Sequence, residues 1–299
     1  MKRGILYGAA AYSLWGFLPL YLKFIPAIPQ WQLMAHRLVW SFVFLMIILS
    51  IRGNWDWVKS VKNRRTVQIY VLASLLLMVN WSIYLWGVTS GFVLEASLGY
   101  FINPLVNVLL GVVFLKERLR PSQWLPVGVA ALGVIYLTIA QGTPPWLALA
   151  LAITFGVYGF VKKKAPLNSL YGLTLETSVM LAPMAIALIV AERVGAGVFG
   201  HLGMPGDGLL LLLGVITAVP LLLFSAAAQM VPLTMMGILQ YLSPTISFIT
   251  GILVFHEPFT PARLVGFSLI WLALVLFSAE GFLQTRKSAL RTRQNQEVV

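Results

Sequence analysis

The chain has 299 residues, of which 59% are hydrophobic and 10% are charged, and its mean hydropathy is +0.88. This composition excludes an ordinary soluble domain, in which about 45 to 50% of residues are apolar, and predicts an integral membrane protein. The formal net charge is +12 and the chain has no cysteine, so disulfides, thiolate metal sites and cysteine nucleophiles are excluded.

Ten apolar segments follow one another along the chain, each about as long as a helix that crosses a bilayer. Their approximate bounds are 4–24, 31–51, 66–89, 94–115, 121–140, 144–161, 170–191, 207–230, 234–255 and 262–284. The start of the chain resembles a signal peptide, but its apolar run of about 20 residues is too long for one, and we expect an uncleaved first helix. The sequence therefore predicts an all-α membrane protein with ten transmembrane helices.

The positive charges are unevenly placed. Most of the 21 lysines and arginines lie at the two ends of the chain or in one alternate set of connections, which includes residues 59–65 and 162–164. Because cytoplasmic loops are enriched in lysine and arginine, we expect both termini in the cytoplasm and a multi-pass protein of the bacterial inner membrane. Such runs are typical of anchors near lipid headgroups and do not indicate a nucleic-acid partner. The polar tail, residues 286–299, is predicted to be disordered.

The fourth segment carries polar side chains on one face. Tyr100, Asn103 and Asn107 recur at helical spacing, which places them on one side of an otherwise apolar helix. Pro104 lies among them and cannot donate to the carbonyl of Tyr100, which predicts a kink. Because polar groups in lipid must find a partner or face water, the stripe is either packing between helices or the lining of a cavity. We favour the lining.

The same pattern occurs again 140 residues later. The equivalent residues of the second copy, with a second predicted kink at the proline, are Gln240, Ser243, Pro244 and Ser247. The chain is therefore predicted to consist of two five-helix repeats, residues 1–140 and 141–285. Since five is odd, the second repeat enters the membrane from the opposite side, and inverted repeats around a midplane site are common in secondary transporters.

Further candidate site residues lie near these stripes. Flat aromatic and amide groups suit an amphipathic small molecule, and the candidates are Trp15, Asn80 and Tyr84, with Tyr12, Trp81 and Trp86 nearby. For any single aromatic, packing or a place at the headgroups is the commoner role.

Three ionisable residues lie well inside predicted helices: His36, Arg37 and Glu176. Arg37 either extends to the outer headgroups or faces an anionic or zwitterionic substrate. His36 and Glu176 are candidates for proton coupling or gating.

No enzyme is expected. The three histidines fall in different segments, and His256-Glu257 has Thr260 where a zinc protease would carry its second histidine. The sequence also has no phosphate loop, GxSxG elbow or paired carboxylates, and we predict no cofactor and no metal site.

Two runs carry a family resemblance: EASLGYFINPLVNVLLGVVFLKERL from Glu95 and AHRLVWSFVF from Ala35. Both resemble RarD-type members of the EamA family, in the drug/metabolite transporter superfamily, and the resemblance extends over nearly the whole chain. It implies a ten-helix carrier whose central cavity is lined by helices 1 to 4 and 6 to 9, with helices 5 and 10 peripheral. It implies no settled substrate, because relatives export amino acids, metabolites or amphipathic compounds.

The sequence thus predicts a transporter that moves a small amphipathic metabolite or drug, amino-acid-like or amphenicol-like, by alternating access. Protons are a candidate coupling ion. A lipid-carrier flippase is an alternative that would need a lateral opening between helices. A membrane partner or sensor without transport activity is another, which midline stripes packed tightly against each other would favour.

Overall fold

The computed structural model describes residues 1–53, 55, 58–90, 92–142, 145–255 and 260–297, which form helices and, within those ranges, no strand. The helices are α1 Lys2–Leu22, α2 Gln30–Arg52, α3 Val58–Val61, α4 Arg64–Thr89, α5 Val93–Phe114, α6 Pro121–Gln141, α7 Trp146–Lys164, α8 Ser169–Arg193, α9 Gly203–Met230, α10 Leu233–Gln240, α11 Leu242–Phe255 and α12 Pro261–Glu297.

These helices confirm the predicted all-α membrane architecture. By length and composition, nine helices in the described ranges can cross a membrane, if α10 and α11 are counted together as Leu233–Phe255. The apolar part of α12, Leu264–Glu280, is shorter and supplies the tenth predicted segment. Only the one-turn helix α3 lies outside the predicted segments, in the connection between α2 and α4.

The ninth predicted segment is interrupted. α10 ends at Gln240 and α11 begins at Leu242, and the Tyr241 amide at the junction donates to the carbonyl of Ile238 at 3.3 Å. Pro244 has no N–H to donate to Gln240 four residues earlier, so the interruption falls in the turn that Pro244 weakens. Pro104 lies within an uninterrupted α5.

The basic tail differs from its expectation. α12 continues as a helix to Glu297, and so includes most of the segment that composition alone predicted to be disordered. No glycine or proline follows Gly281 in the sequence, so nothing in the tail interrupts a helix.

Contacts between helix ends define two ends of the bundle. At one end, Gly4 in α1 packs closely on Met230 at the end of α9. Lys163 in α7 donates to the carbonyl of Val231 at 2.6 Å, just after α9. The carboxylate of Glu117, after α5, accepts hydrogen bonds from the first two amides of α10 at 2.7 and 2.9 Å. We call this the basic end, because the lysine-rich end of α7 lies there.

The other helix ends meet at the opposite end. The Tyr21 hydroxyl of α1 donates to the Leu209 carbonyl of α9. The Gln32 side chain of α2 donates to the Ala196 carbonyl, just after α8, at 2.7 Å. Successive long helices therefore run antiparallel through the bundle.

Eight spans form the bundle, and α6 and α12 lie beside it. α1 packs on α9 and α11, α2 packs on α8 and α9, and α5 packs on α7 and α10, whereas α6 and α12 pack mainly on each other. This agrees with the peripheral fifth and tenth spans that the family resemblance implies.

α10 crosses α5 at a close backbone approach. A Cβ atom at Gly237 would lie 2.5 Å from the Pro104 carbonyl oxygen and 3.2 Å from the Asn107 Cβ. Since Cβ contacts below 3 Å essentially never occur, only glycine permits this backbone approach.

We expect Gly237→Ala to destabilise the protein, because overpacking such a contact typically costs about 1–3 kcal/mol. The matched control is Gly128→Ala in α6, where a Cβ would meet nothing within 4 Å and alanine has the higher helix propensity. The measurement is the apparent melting temperature of each purified variant in detergent. A Gly237→Ala protein that melts with or above Gly128→Ala would contradict the contact.

Candidate functional site

Arg37 lies two turns into α2, beside α4 and α9. Its Nε donates to the Thr217 hydroxyl at 3.1 Å, and its guanidinium carbon lies 4.7 Å from the centroid of a Trp81 ring. Among the described residues, the only other hydrogen-bond contact of the head group is a long one, 3.9 Å, to the Met34 sulfur. In the part of the chain that the structure describes, Arg37 has no carboxylate partner.

Two phenols complete this site. The Tyr84 ring of α4 contacts the Tyr100 ring of α5 edge to face, with 6.1 Å between centroids, and both lie close enough to Arg37 to interact with it electrostatically. Tyr100 is 48% exposed although it lies two turns into α5. We call Arg37, Trp81, Tyr84, Tyr100 and Thr217 the Arg37 site.

An aromatic cluster fills the bundle between α1, α7 and α9. Its rings stack or meet at angles, with centroids 5.5–6.1 Å apart, and belong to Tyr12, Trp15, Phe155, Tyr158 and Phe224. Tyr12, Tyr158 and Phe224 are at most 1% exposed. This cluster belongs to the main apolar core.

A buried ion pair follows the cluster toward the basic end. Lys162 of α7 and Glu176 of α8 form a salt bridge whose side chains are each 1% exposed. The Tyr158 hydroxyl donates to the second Glu176 oxygen at 3.1 Å, and the Lys162 ammonium lies 5.4 Å from the centroid of the Tyr70 ring. Both charges are therefore compensated inside the protein, as buried ions require.

The predicted amide stripe joins the repeats by hydrogen bonds. The Asn107 amide donates to Asn103 at 3.1 Å and to Gln240 at 2.8 Å, and Asn103 donates to the Ala152 carbonyl at 2.8 Å. Asn103, Asn107 and Gln240 are each at most 5% exposed. We call these three residues the amide ladder. The Asn103 and Asn107 amide groups donate to protein partners, and the Asn107 carbonyl oxygen is buried without a partner among the described residues.

The other predicted residues are spread around these features. Asn80 of α4 donates to the Leu151 carbonyl and the Thr154 hydroxyl of α7, both at 2.9 Å. Ser247 donates to the Gly16 carbonyl at 3.1 Å, and Ser243 is half-buried in α11. Trp15 lies in the aromatic cluster and not in the Arg37 site.

His36 is 3% exposed at the side of α2 that faces α9 and the loop after α8. Its Nδ1 accepts a hydrogen bond from the Trp40 indole at 3.2 Å, and its ring lies 5.7 Å from the Phe199 ring. Its Nε2 is buried with no hydrogen-bond partner among the described residues. The His256-Glu257 dipeptide, which was compared above with a zinc-protease motif, lies outside the described residues.

Of the predicted site residues, the structure brings Arg37, Tyr84 and Tyr100 together. Sequence reasoning left Thr217 out, and no local pattern pointed to it, since its partner lies 180 residues away. It also interpreted Lys162 as a headgroup anchor. The spacing of Tyr158 and Lys162, four residues apart on one helix face, was the signal that this lysine points into the bundle.

Removing one member of the buried ion pair is expected to destabilise the protein strongly. Lys162→Met leaves the Glu176 carboxylate buried without its cation, and such a loss typically costs about 3–5 kcal/mol. Removing both charges, in Lys162→Met with Glu176→Leu, should recover part of that loss. The apparent melting temperature in detergent measures each effect.

Lys164→Met is the matched control, because Lys164 is exposed at the end of the same helix and exposed charges contribute little. If Lys162→Met proved as stable as Lys164→Met, the buried pair would be refuted.

The comparisons with known proteins agree with this architecture. The model of the EamA-like transporter family matches residues 2–139 and 144–279, one match for each predicted repeat. The chain is 45% identical over 287 residues to an uncharacterized transporter, YojE, of Bacillus subtilis, covering 93% of this chain and 94% of that protein. It is 36% identical to the protein RarD of Escherichia coli, covering 96% and 98% of the two chains.

A solved crystal structure has a similar fold. It matches with a TM-score of 0.69, covering 93% of this chain and 98% of its own, at 18% sequence identity. At that identity the similarity extends to the fold alone.

Proposed function

Because the chain belongs to the EamA-like transporter family, in its RarD-type branch, we propose that it is a secondary carrier of the bacterial inner membrane that works by alternating access. The substrate is a small amphipathic molecule that binds in the Arg37 site, between the two inverted repeats. Both termini and the basic end face the cytoplasm, as the excess of lysine and arginine there favours.

The exposure of Tyr100 carries this proposal. The residue lies two turns into a membrane-spanning helix and is 48% exposed. Its ring contacts that of Tyr84, and it interacts electrostatically with Arg37. A cation at this depth faces the interior of the bundle or a water-filled space rather than acyl chains. The accessible space beside Tyr100 therefore belongs to the inside of the bundle, where a substrate can bind.

Unequal packing of equivalent helices supports alternating access. The 140-residue shift relates α7 to α1 and α9 to α4. α7 packs on α9, whereas α1 and α4 make no comparable contact in the described part of the chain. Inverted repeats exchange conformations during transport. A carrier that is closed at the basic end and open at the opposite end would therefore show this difference between the two helix pairs.

The closed end indicates which contacts must break in the other state. Lys163 joins α7 to the carbonyls of Ala228 and Val231, at 3.2 and 2.6 Å, and Phe155 and Tyr158 pack on Phe224. Opening toward the cytoplasm would separate these groups while α1 and α4 come together. The aromatic cluster thus separates the Arg37 site from the cytoplasm in the present state.

The alternative of a membrane partner or sensor draws support from the amide ladder, which is packed as that alternative requires. It does not account for Tyr100, which belongs to the same stripe and is half-exposed. A carrier accounts for both, since an interface between repeats and an open site then lie side by side.

Replacement of Tyr100 tests the site. We expect Tyr100→Ala to lower the initial rate of substrate exchange in proteoliposomes about tenfold, the equivalent of about 1.4 kcal/mol, without lowering the amount of protein in the membrane. The substrate is chosen beforehand as a compound that stabilises the purified protein thermally, from a panel of organic acids, amino acids, nucleosides and amphenicols.

The control is Tyr136→Ala on the peripheral helix α6, where the side chain is 38% exposed. Exchange by Tyr136→Ala should match that of the unchanged protein. Unimpaired exchange by Tyr100→Ala would remove Tyr100 from the binding site.

A second test concerns protons. Of the two candidate coupling residues, Glu176 is held in an ion pair, whereas His36 has an unpartnered ring nitrogen that can accept a proton. We therefore expect an imposed pH gradient to accelerate uptake into proteoliposomes, and we expect His36→Gln to abolish that acceleration. Glu176→Gln, if it folds, should retain it.

His201→Gln is the matched control for this substitution. His201 lies in the exposed loop after α8, where a hydrogen bond to Glu192 at 2.9 Å raises the pKa of its imidazole. Its replacement should leave the response to the pH gradient intact. If uptake by His36→Gln still responds as the unchanged protein does, His36 is not the coupling residue.

A further inference from the structure

We infer that the Arg37 site selects an organic monocarboxylate, a molecule with one carboxylate, no cationic group and a flat apolar portion. This inference rests on the proposed function and names the substrate class of the same site.

The first argument is the unused hydrogen-bonding capacity of Arg37. A guanidinium has five N–H donors and keeps its charge at any physiological pH. Nε is used by Thr217 at 3.1 Å, and the face of the group lies on Trp81. The terminal nitrogens have no oxygen acceptor among the described residues. Their two parallel N–H groups form the fork that binds a carboxylate end-on.

The second argument is the local balance of charge. Acidic residues near Arg37 would neutralise it, but every acid whose side chain the structure describes is engaged elsewhere. Two of these carboxylates accept hydrogen bonds from the first turn of another helix, Glu95 from the Leu147 amide of α7 and Glu117 from the Leu233 amide of α10. The others pair as follows: Glu176 with Lys162, Glu192 with His201, Asp207 with the Gly200 amide, and Glu280 with Arg120. The site therefore presents one positive charge, which calls for one negative charge in its occupant.

The same balance excludes other occupants. An amino acid would bring an ammonium group. The described residues of the site offer it no carboxylate, and Arg37 would repel it. A neutral molecule would leave the charge of Arg37 uncompensated inside the bundle. A monocarboxylate meets neither penalty.

The third argument is the wall of the site. Trp81, Tyr84 and Tyr100 present aromatic surfaces on α4 and α5, and the two phenols lie near the guanidinium. Phenol hydroxyls can donate to a carboxylate that Arg37 holds, while the rings pack against the apolar part of the same molecule. Charge and shape thus point to an acid with a flat apolar group.

Three matched probes test the inference: 3-phenylpropionate, 3-phenylpropanamide and phenylalanine. They share a phenyl group on a chain of the same length and differ in carrying one negative charge, no charge, or both charges. Dissociation constants are measured at pH 7 with the purified full-length protein in detergent. We expect the acid to bind on the order of tenfold or more tightly than the amide or the amino acid, in the range of a hydrogen-bonded charge.

Variants assign the preference to Arg37. Arg37→Gln should remove the preference for the acid, and Arg37→Lys should retain part of it, since lysine keeps the charge but loses the fork. Arg52→Gln removes a charge from the exposed end of the same helix and should bind as the unchanged protein does. Arg37→Lys keeps the test valid if Arg37→Gln fails to fold.

The outcomes separate this inference from the carrier proposal. Equal binding of acid and amide, tighter binding of phenylalanine, or no binding of the acid overturns the monocarboxylate. If the amide then binds in a manner that Tyr100→Ala weakens, the Arg37 site survives as a binding site for another class. An acid that binds equally well to Arg37→Gln, Arg37→Lys and Tyr100→Ala overturns both proposals.

Discussion

A polar group inside a bilayer must have a partner, and this constraint decides most of the structure. The amide ladder, Asn80 and the Lys162–Glu176 pair each meet it by binding another helix. These bonds fix how α4, α5, α7, α8 and α10 pack, because an alternative packing would strand the same groups in apolar surroundings. Arg37 differs from these groups, since the ends of its guanidinium point to no oxygen acceptor in the described structure. Single buried atoms such as His36 Nε2 also lack a partner there. The polar groups that bind another helix therefore have a structural role, whereas the unpaired ends of the Arg37 guanidinium remain able to bind a ligand.

Two neighbouring lysines show how such a bundle can be stable and still move. Lys162 is committed to Glu176, which ties α7 to α8 within one repeat, and breaking that pair would expose two charges to an apolar core. Lys163, the next residue, reaches backbone carbonyls at the end of α9, where water can replace the lost bonds at modest cost. In the alternating-access cycle that we propose, separation of α7 from α9 would break the Lys163 contacts and the packing on Phe224, while the buried pair would move with α7 and α8 as one unit.

The helices were predictable from sequence because bilayer thickness sets their length and proline, glycine and charge mark their ends. The side-chain roles were less so. Tyr100 and Asn103 share a stripe, yet three residues of helix turn them about 60° apart, enough to leave Tyr100 half-exposed and to bury Asn103 against α7. Lys162 looked like the other lysines of its run, and only its spacing from Tyr158, four residues earlier on the same helix face, set it apart. The contact of Arg37 with Thr217 depends on how the two repeats pack, which no local pattern contains.

The predicted duplication does not extend to the contact between Arg37 and Thr217. The equivalents of Arg37 and Thr217 under the 140-residue shift are Thr177 and Leu77. Thr177 is 3% exposed and donates to the Leu173 carbonyl of its own helix at 2.9 Å, and Leu77 is buried in the apolar core. The helical framework is thus repeated while the charged contact occurs once. If Arg37 binds the charged end of the substrate, as we propose, a single cation gives a substrate with one charged end one favourable direction of binding while the two repeats exchange conformations.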